Sequence, residues 1–207
     1  MRLYIIRHGE TPWNVELRLQ GQTDIELNEN GRKLAARTAI GMRGIPFDLA
    51  FTSPLCRAVE TAQIILDGRQ VPLFREERIK EICFGNMEGV RFRRDADEDS
   101  SPEFYCFFHA PDRYVPARGG ETFGELCRRT GDFLDELKTK TEWYGKNILV
   151  STHGAAMRAL LANVMHTPVE SFWGKGVPKN CAVSIVELNS GQEWTLKELD
   201  KLYYENI

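Results

Sequence analysis

Residues 2–7 (RLYIIR) form an apolar, β-branched run with Gly9 close behind, the pattern of a buried strand that ends at a sharp loop. A second such run lies at 147–152 (NILVST), where His153-Gly154 makes the turn and AAMRALLANVM carries on as a helix. Helical spacing of Leu34, Ala35, Thr38 and Ile40 predicts a helix over 29–43. Residues 48–52 read as a short strand, and 71–74 as another. Ser53-Pro54 has the form of an N-cap followed by Pro at the first helical position, opening a helix to Leu66. An apolar stripe predicts a further helix from Glu121 to Lys138. Alternation in 182–188 and 194–199 around the turn NSGQ predicts a closing hairpin.

Strands alternating with helices imply an α/β sandwich with a largely parallel sheet. Strand–His–Gly occurs twice, at 3–9 and at 148–154, which puts both histidines just beyond the carboxyl ends of core strands. Open α/β sheets bind their ligands there. Residues 84–118 break the pattern by mixing glycine, proline, acidic runs and aromatics. They read as a cap inserted into a single domain that spans 1–207.

Composition narrows the function classes. A net charge of −3 over 207 residues gives no nucleic-acid tail and no polybasic membrane patch. Neither nucleic acid nor membrane is expected as a partner, and a monomer and a homodimer both stay open. The five cysteines are odd in number and lack a CxxC pair, so neither a disulfide framework nor a zinc site is suggested. The opening MRLYIIRHGE is too short in apolar residues for a signal peptide or a span, and a cytoplasmic home is the expectation.

Phosphoryl transfer needs a nucleophile, positive charge on the non-bridging oxygens and an acid for the leaving oxygen. His8 can supply the nucleophile through a neutral ring nitrogen, provided an acceptor such as a backbone carbonyl fixes the other. Arg7 is adjacent. Arg57 falls in the first turn of the helix after Ser53-Pro54, where its guanidinium and the free N–H groups of the helix end can act on one anion. His153 reaches the same sheet edge as His8. Glu81, in RIKEICFGNMEGV, is the natural proton donor if it faces this cationic pocket. Taken singly, each residue has an ordinary structural role: a core histidine, a surface arginine or a surface glutamate. Their convergence is what points to chemistry.

The segments RHGETPWN (7–14), RLQGQTDIELNENG (18–31), FTSPLCRAVETAQII (51–65), IKEICFGNMEG (79–89), GGETFGELCRR (119–129) and STHGAAMRALL (151–161) together resemble the histidine phosphatase superfamily, which includes the cofactor-dependent phosphoglycerate mutases. The resemblance covers nearly the whole chain. It implies a three-layer α/β/α sandwich with a mostly parallel sheet and a cap. It also implies that His8 is phosphorylated, that Arg7, Arg57 and His153 surround the phosphate, and that Glu81 is the acid/base. Asn14, Gln20, Gly21 and Gly154 are the implied substrate-binding positions. No metal is implied, and the sequence has no HxH or HExxH pairing.

The expected partner is a small-molecule phosphomonoester. A mutase needs a tight basic cap, and mutases of the resembled family carry a longer insertion between acid and second histidine than Glu81–His153. The cap here mixes Arg91, Arg93, Arg94, Arg113 and Arg118 with Phe92, Phe104, Tyr105, Phe107, Phe108 and Tyr114, and contains the acidic run 95–99. A phosphatase with no cofactor is therefore favoured. A mutase using 2,3-bisphosphoglycerate and a non-catalytic phosphate-binding protein stand as alternatives.

Overall fold

The computed structural model describes residues 1–92 and 102–205, and of residues 102–104 only the backbone. The elements run β1 (Arg2–Arg7), α1 (Pro12–Val15), α2 (Glu29–Gly41), β2 (Leu49–Thr52), α3 (Cys56–Leu66), β3 (Leu73–Arg75), α4 (Pro102–His109), α5 (Phe123–Thr139), β4 (Asn147–Thr152), α6 (Gly154–Met165), β5 (Val183–Leu188) and β6 (Trp194–Lys201). The six strands form one sheet in the order β3-β2-β4-β1-β5-β6. β3, β2, β4 and β1 pair in parallel, and β5 and β6 add the expected antiparallel hairpin at one edge.

Side-chain alternation builds the layers. Leu3, Ile5, Leu49, Phe51, Ile148 and Val150 pack against α5 and α6, while Tyr4, Ile6, Ala50 and Leu149 pack against α2 and α3. Strands buried on both faces need apolar residues at successive positions, which β1 supplies over 3–6 and β4 over 148–150. The result is the α/β/α sandwich expected from the sequence.

Several boundaries shift for local reasons. α3 opens at Cys56 and not at Ser53-Pro54, because the Ser53 N–H still donates to the Ser151 carbonyl across the sheet, at 2.9 Å. α5 opens at Phe123, where Thr122 and Glu125 form a capping box. The third strand sits at Leu73–Arg75 and the second begins at Leu49. Ile40 is 47% exposed, since Ala35, Thr38 and Ala39 set the buried face of α2 and leave Ile40 on the other side. The segment 84–118 contains a helix that the sequence pattern did not reveal, α4, whose Phe107 and Phe108 join the cluster around Phe123, Phe172 and Trp173. Arg93, Arg94 and the acidic run 95–99 lie outside the described residues.

Candidate active site

β1 and β4 end together. Arg7 stands opposite Thr152 in the parallel register, so His8 and His153, one residue further on, leave the sheet side by side with ring centroids 5.2 Å apart. The His8 N–H donates to the Thr152 carbonyl at 2.9 Å. A Cβ on Gly9 would come within 2.7 Å of the Gly31 carbonyl oxygen, so this turn needs glycine to pack against the start of α2.

His8 is 3% exposed. Its Nδ1 lies 2.7 Å from the Gly9 carbonyl oxygen. A carbonyl can only accept, so Nδ1 carries the hydrogen and Nε2 keeps the lone pair of the neutral ring. Burial, reinforced by the charges of Arg57 and Arg7, holds the His8 pKa well below 6.5. The carbonyl acceptor that the sequence argument required is thus supplied by the very next residue.

Arg57, at the second position of α3, is fully buried. Nη1 donates to the Thr23 carbonyl at 2.8 Å and Nη2 to the Gly21 carbonyl at 2.7 Å. Its Nε has no hydrogen-bond partner among the described residues. The N–H of Cys56 at the start of α3 is occupied: Asp24 accepts it at 2.7 Å. That helix end therefore serves a carboxylate of the chain itself, and Arg57 acts through its side chain. Arg7 donates from Nη1 to the Pro178 carbonyl.

His153 is the N-cap residue of α6. Its Nε2 lies 2.7 Å from the Ser53 hydroxyl, while Nδ1 is buried with no partner among the described residues. Burial, then Arg57 and His8, hold its pKa well below 6.5. Glu81 sits just before the 84–118 segment. It lies on the N-terminus of α6, where Oε1 accepts from the Ile82 and Ala156 N–H groups at 3.0 Å each and Oε2 from the Ala155 N–H at 3.2 Å. A Cβ on Gly154 would stand 3.6 Å from Glu81 Oε2 and 3.7 Å from Arg7 Nε, which puts Gly154 between acid and arginine.

One pocket is lined by Arg7, His8, Asn14, Gln20, Gly21, Arg57, Glu81 and Gly154, so the sequence-named residues converge, with His153 against His8. Gly21 has φ +51°, and a Cβ there would lie 2.1 Å from Glu88 Oε1. The Asn14 side-chain oxygen accepts from the Thr11 N–H and hydroxyl and from Asn180, which leaves its NH₂ as a donor. The sequence reads Ser53 only as an N-cap and gives it, Asp24 and Glu88 no part in the site. Glu88 accepts from the N–H groups of Gln22 and Phe84 at 2.9 and 3.2 Å and so fixes the 20–23 loop. No spacing rule links a residue at 88 to a loop at 22.

The remaining wall is mostly apolar, with the aromatics Trp13, Phe84, Phe92, Phe107, Phe108 and Trp173 beside Leu17, Leu19, Ala155 and Val177. Arg91, Arg113 and Arg118 are not among the lining residues. Apart from Arg7 and Arg57, the described cation on the wall is Arg18, which already contacts Glu16 at 2.6 Å and the Gly89 carbonyl at 2.7 Å.

The model of the histidine phosphatase superfamily, branch 1, matches residues 3–201. The chain is a member of the histidine phosphatase superfamily. This family member is 31% identical over 203 residues to the adenosylcobalamin/alpha-ribazole phosphatase of Salmonella typhimurium, covering 94% of the chain and 98% of that protein. It is 30% identical over 164 residues to a 2,3-bisphosphoglycerate-dependent phosphoglycerate mutase of Cytophaga hutchinsonii, covering 78% and 76%. Among solved structures, Bacillus stearothermophilus YhfR matches with a TM-score of 0.85 at 33% identity, covering 95% of each chain. The histidine phosphatase described here is an enzyme of phosphomonoester chemistry. No helix among its described residues is long and apolar enough to cross a membrane.

Proposed function

We propose that the enzyme hydrolyses a small phosphomonoester through a phosphohistidine on His8, with Glu81 as proton donor and acceptor. The observation that carries this is the bond from His8 Nδ1 to the Gly9 carbonyl, which leaves a neutral ring with its lone pair on Nε2 in a pocket shared with Arg7 and Arg57. In the first step Nε2 forms the N–P bond, the ester P–O bond breaks, and the leaving oxygen takes the proton of Glu81. Glu81 Oε2 suits this best, because it accepts one N–H where Oε1 accepts two, which leaves it a position for the proton. The Gly9 carbonyl also stabilises the positive charge that grows on the ring as the N–P bond forms. In the second step the Glu81 carboxylate takes a proton from water, the water oxygen bonds phosphorus, and the N–P pair returns to His8. Inorganic phosphate leaves.

Phosphomonoester hydrolysis requires up to ~10²¹-fold acceleration. Removing one oxyanion donor from a site typically costs ~10²–10³-fold, so Arg7, Arg57, His153 and the Asn14 amide share that load. Positive charge on the phosphate comes from arginines, in keeping with a metal-independent reaction. Five free thiols agree with a cytoplasmic enzyme.

Hydrolysis is favoured over mutase transfer by the wall. A doubly anionic substrate needs a second set of free cations, whereas among the described residues of the wall Arg18 is already ion-paired and most of the others beyond the polar site are apolar. The substrate this suits has one phosphate and an uncharged, partly apolar body. The near full-length match to an alpha-ribazole phosphatase points the same way. The test is His8→Ala on a phosphomonoester panel, with and without 2,3-bisphosphoglycerate. Turnover and the acid-labile phosphoenzyme should vanish together. Near-normal turnover by the variant overturns the proposal, and wild-type activity that depends on the bisphosphate establishes the mutase.

A further inference from the structure

Glu81 stands on a stretch of chain that holds no shape of its own. A short 3₁₀ turn at Glu77–Ile79 ends just before it, and neither helix nor strand spans residues 80–83. A proton donor must keep within hydrogen-bond reach of the leaving oxygen, and a misplacement of 1 Å can cost ~10²-fold. Something outside this stretch must therefore fix its path.

Gln22 contributes one bond, from Nε2 to the Glu81 carbonyl at 3.1 Å, and the larger support is Arg129, on α5. Its Nη1 donates to the carbonyls of Arg78 and Lys80 at 2.7 Å each, and its Nη2 to the Glu81 carbonyl at 3.0 Å. The same guanidinium grips Glu121, Nε to Oε1 at 2.6 Å and Nη2 to Oε2 at 2.8 Å. Glu121 closes the frame on the far side of Glu81: its N–H donates to the Cys83 carbonyl at 2.8 Å, and its Oε2 accepts the Cys83 N–H at 3.3 Å. The planar fork of arginine suits three converging carbonyls and a carboxylate, and a lysine ammonium cannot reproduce it. Arg129 and Glu121 are 20% and 14% exposed at the side chain, so the pair is sheltered enough for its geometry to persist. Neither residue lines the pocket.

Resting on the two-step reaction above, we infer that Arg129 and Glu121 form a positioning latch for proton transfer. They pin the backbone of 78–83 so that the Glu81 carboxyl stays seated on the N-terminus of α6, beside Gly154 and Arg7. Without the latch, phosphorus is still held by Arg7, Arg57 and His153, and His8 can still attack it. What fails is delivery of the proton. The loss therefore depends on the leaving group.

The experiment compares wild type, Arg129→Met, Arg129→Lys, Glu81→Gln and the double variant Arg129→Met/Glu81→Gln. Each is assayed on p-nitrophenyl phosphate, whose leaving group needs no proton, and on an alkyl phosphate, whose leaving group does. Arg129→Met should lose ~10²-fold or more in kcat/KM on the alkyl ester, and several-fold at most on the nitrophenyl ester; kcat/KM is compared throughout, because it reports transfer to His8 and not the second step, in which Glu81 serves both esters as base. The double variant should be no slower than Glu81→Gln on the alkyl ester. If Arg129→Met unfolds, Arg129→Lys keeps the charge and should show the same leaving-group selectivity in milder form. Equal slowing on both esters, or additive losses in the double variant, overturns the latch while leaving Glu81 as the acid. A Glu81→Gln enzyme with no leaving-group dependence instead overturns the acid assignment, and the latch with it.

Discussion

His8 shows what one residue inherits from its neighbours. Its tautomer is set by the carbonyl of Gly9, its neutrality by burial and two arginines, and its place by a backbone bond to Thr152. The sequence made the residue types and their strand-end positions legible, because an apolar run followed by His-Gly is a local pattern. It did not make Ser53, Asp24 or Glu88 legible. Each acts on a residue distant along the chain, through a contact that only folding creates. Gly21 gives a direct test at this scale. It takes φ +51°, its carbonyl holds Arg57, and a Cβ would meet Glu88. Gly21→Ala should cost ~1–3 kcal/mol of stability and reduce turnover as well, since the Arg57 anchor moves. Urea denaturation alongside a p-nitrophenyl phosphate assay checks both, and a fully active variant of unchanged midpoint would contradict the packing described.

Among elements, α3 is the most instructive. Ser53-Pro54 suggested a self-capped helix, but Ser53 stays on the sheet and turns its hydroxyl to His153. The cap is donated by Asp24 from the loop that follows α1, so the helix that carries Arg57 is secured by the same loop whose carbonyls hold the Arg57 guanidinium. A helix start capped from afar gives no signal in its own sequence. Asp24→Ala should cost about 1 kcal/mol, the usual value of a lost cap, and Asp24→Asn should restore part of it by keeping an acceptor oxygen. Thermal melts of the three proteins decide this, and equal melting temperatures for all would remove Asp24 from the role. The cap segment was the least legible part, because α4 is held by aromatic contacts with the 172–173 region, far along the chain.

On the scale of the whole molecule, burying two neutral histidines couples stability to pH. Both rings have pKa values well below 6.5 in the fold and return to about 6.5 once unfolded. The unfolded chain therefore binds more protons as pH falls below about 6.5. The stability that these rings contribute is fully present above that value and is lost progressively beneath it, by up to ~1.4 kcal/mol per pH unit for each ring. The urea midpoint should drop between pH 7.5 and pH 5.5, and less steeply in His153→Gln. A midpoint that is flat across this window in the wild type would contradict the burial of both rings in neutral form.

The strand order carries a consequence for how the enzyme is made. β1 is the first strand of the chain, yet both of its sheet neighbours, β4 and β5, lie beyond residue 146. As the chain leaves the ribosome at ~5–20 residues per second, the segment that carries His8 has no edge to join until residues 147–152 have been synthesised. Through that interval its continuous apolar run is exposed, as pairings so distant in sequence form late. His8 is thus translated long before the strands that place it, and it comes to lie beside His153 only when the sheet closes.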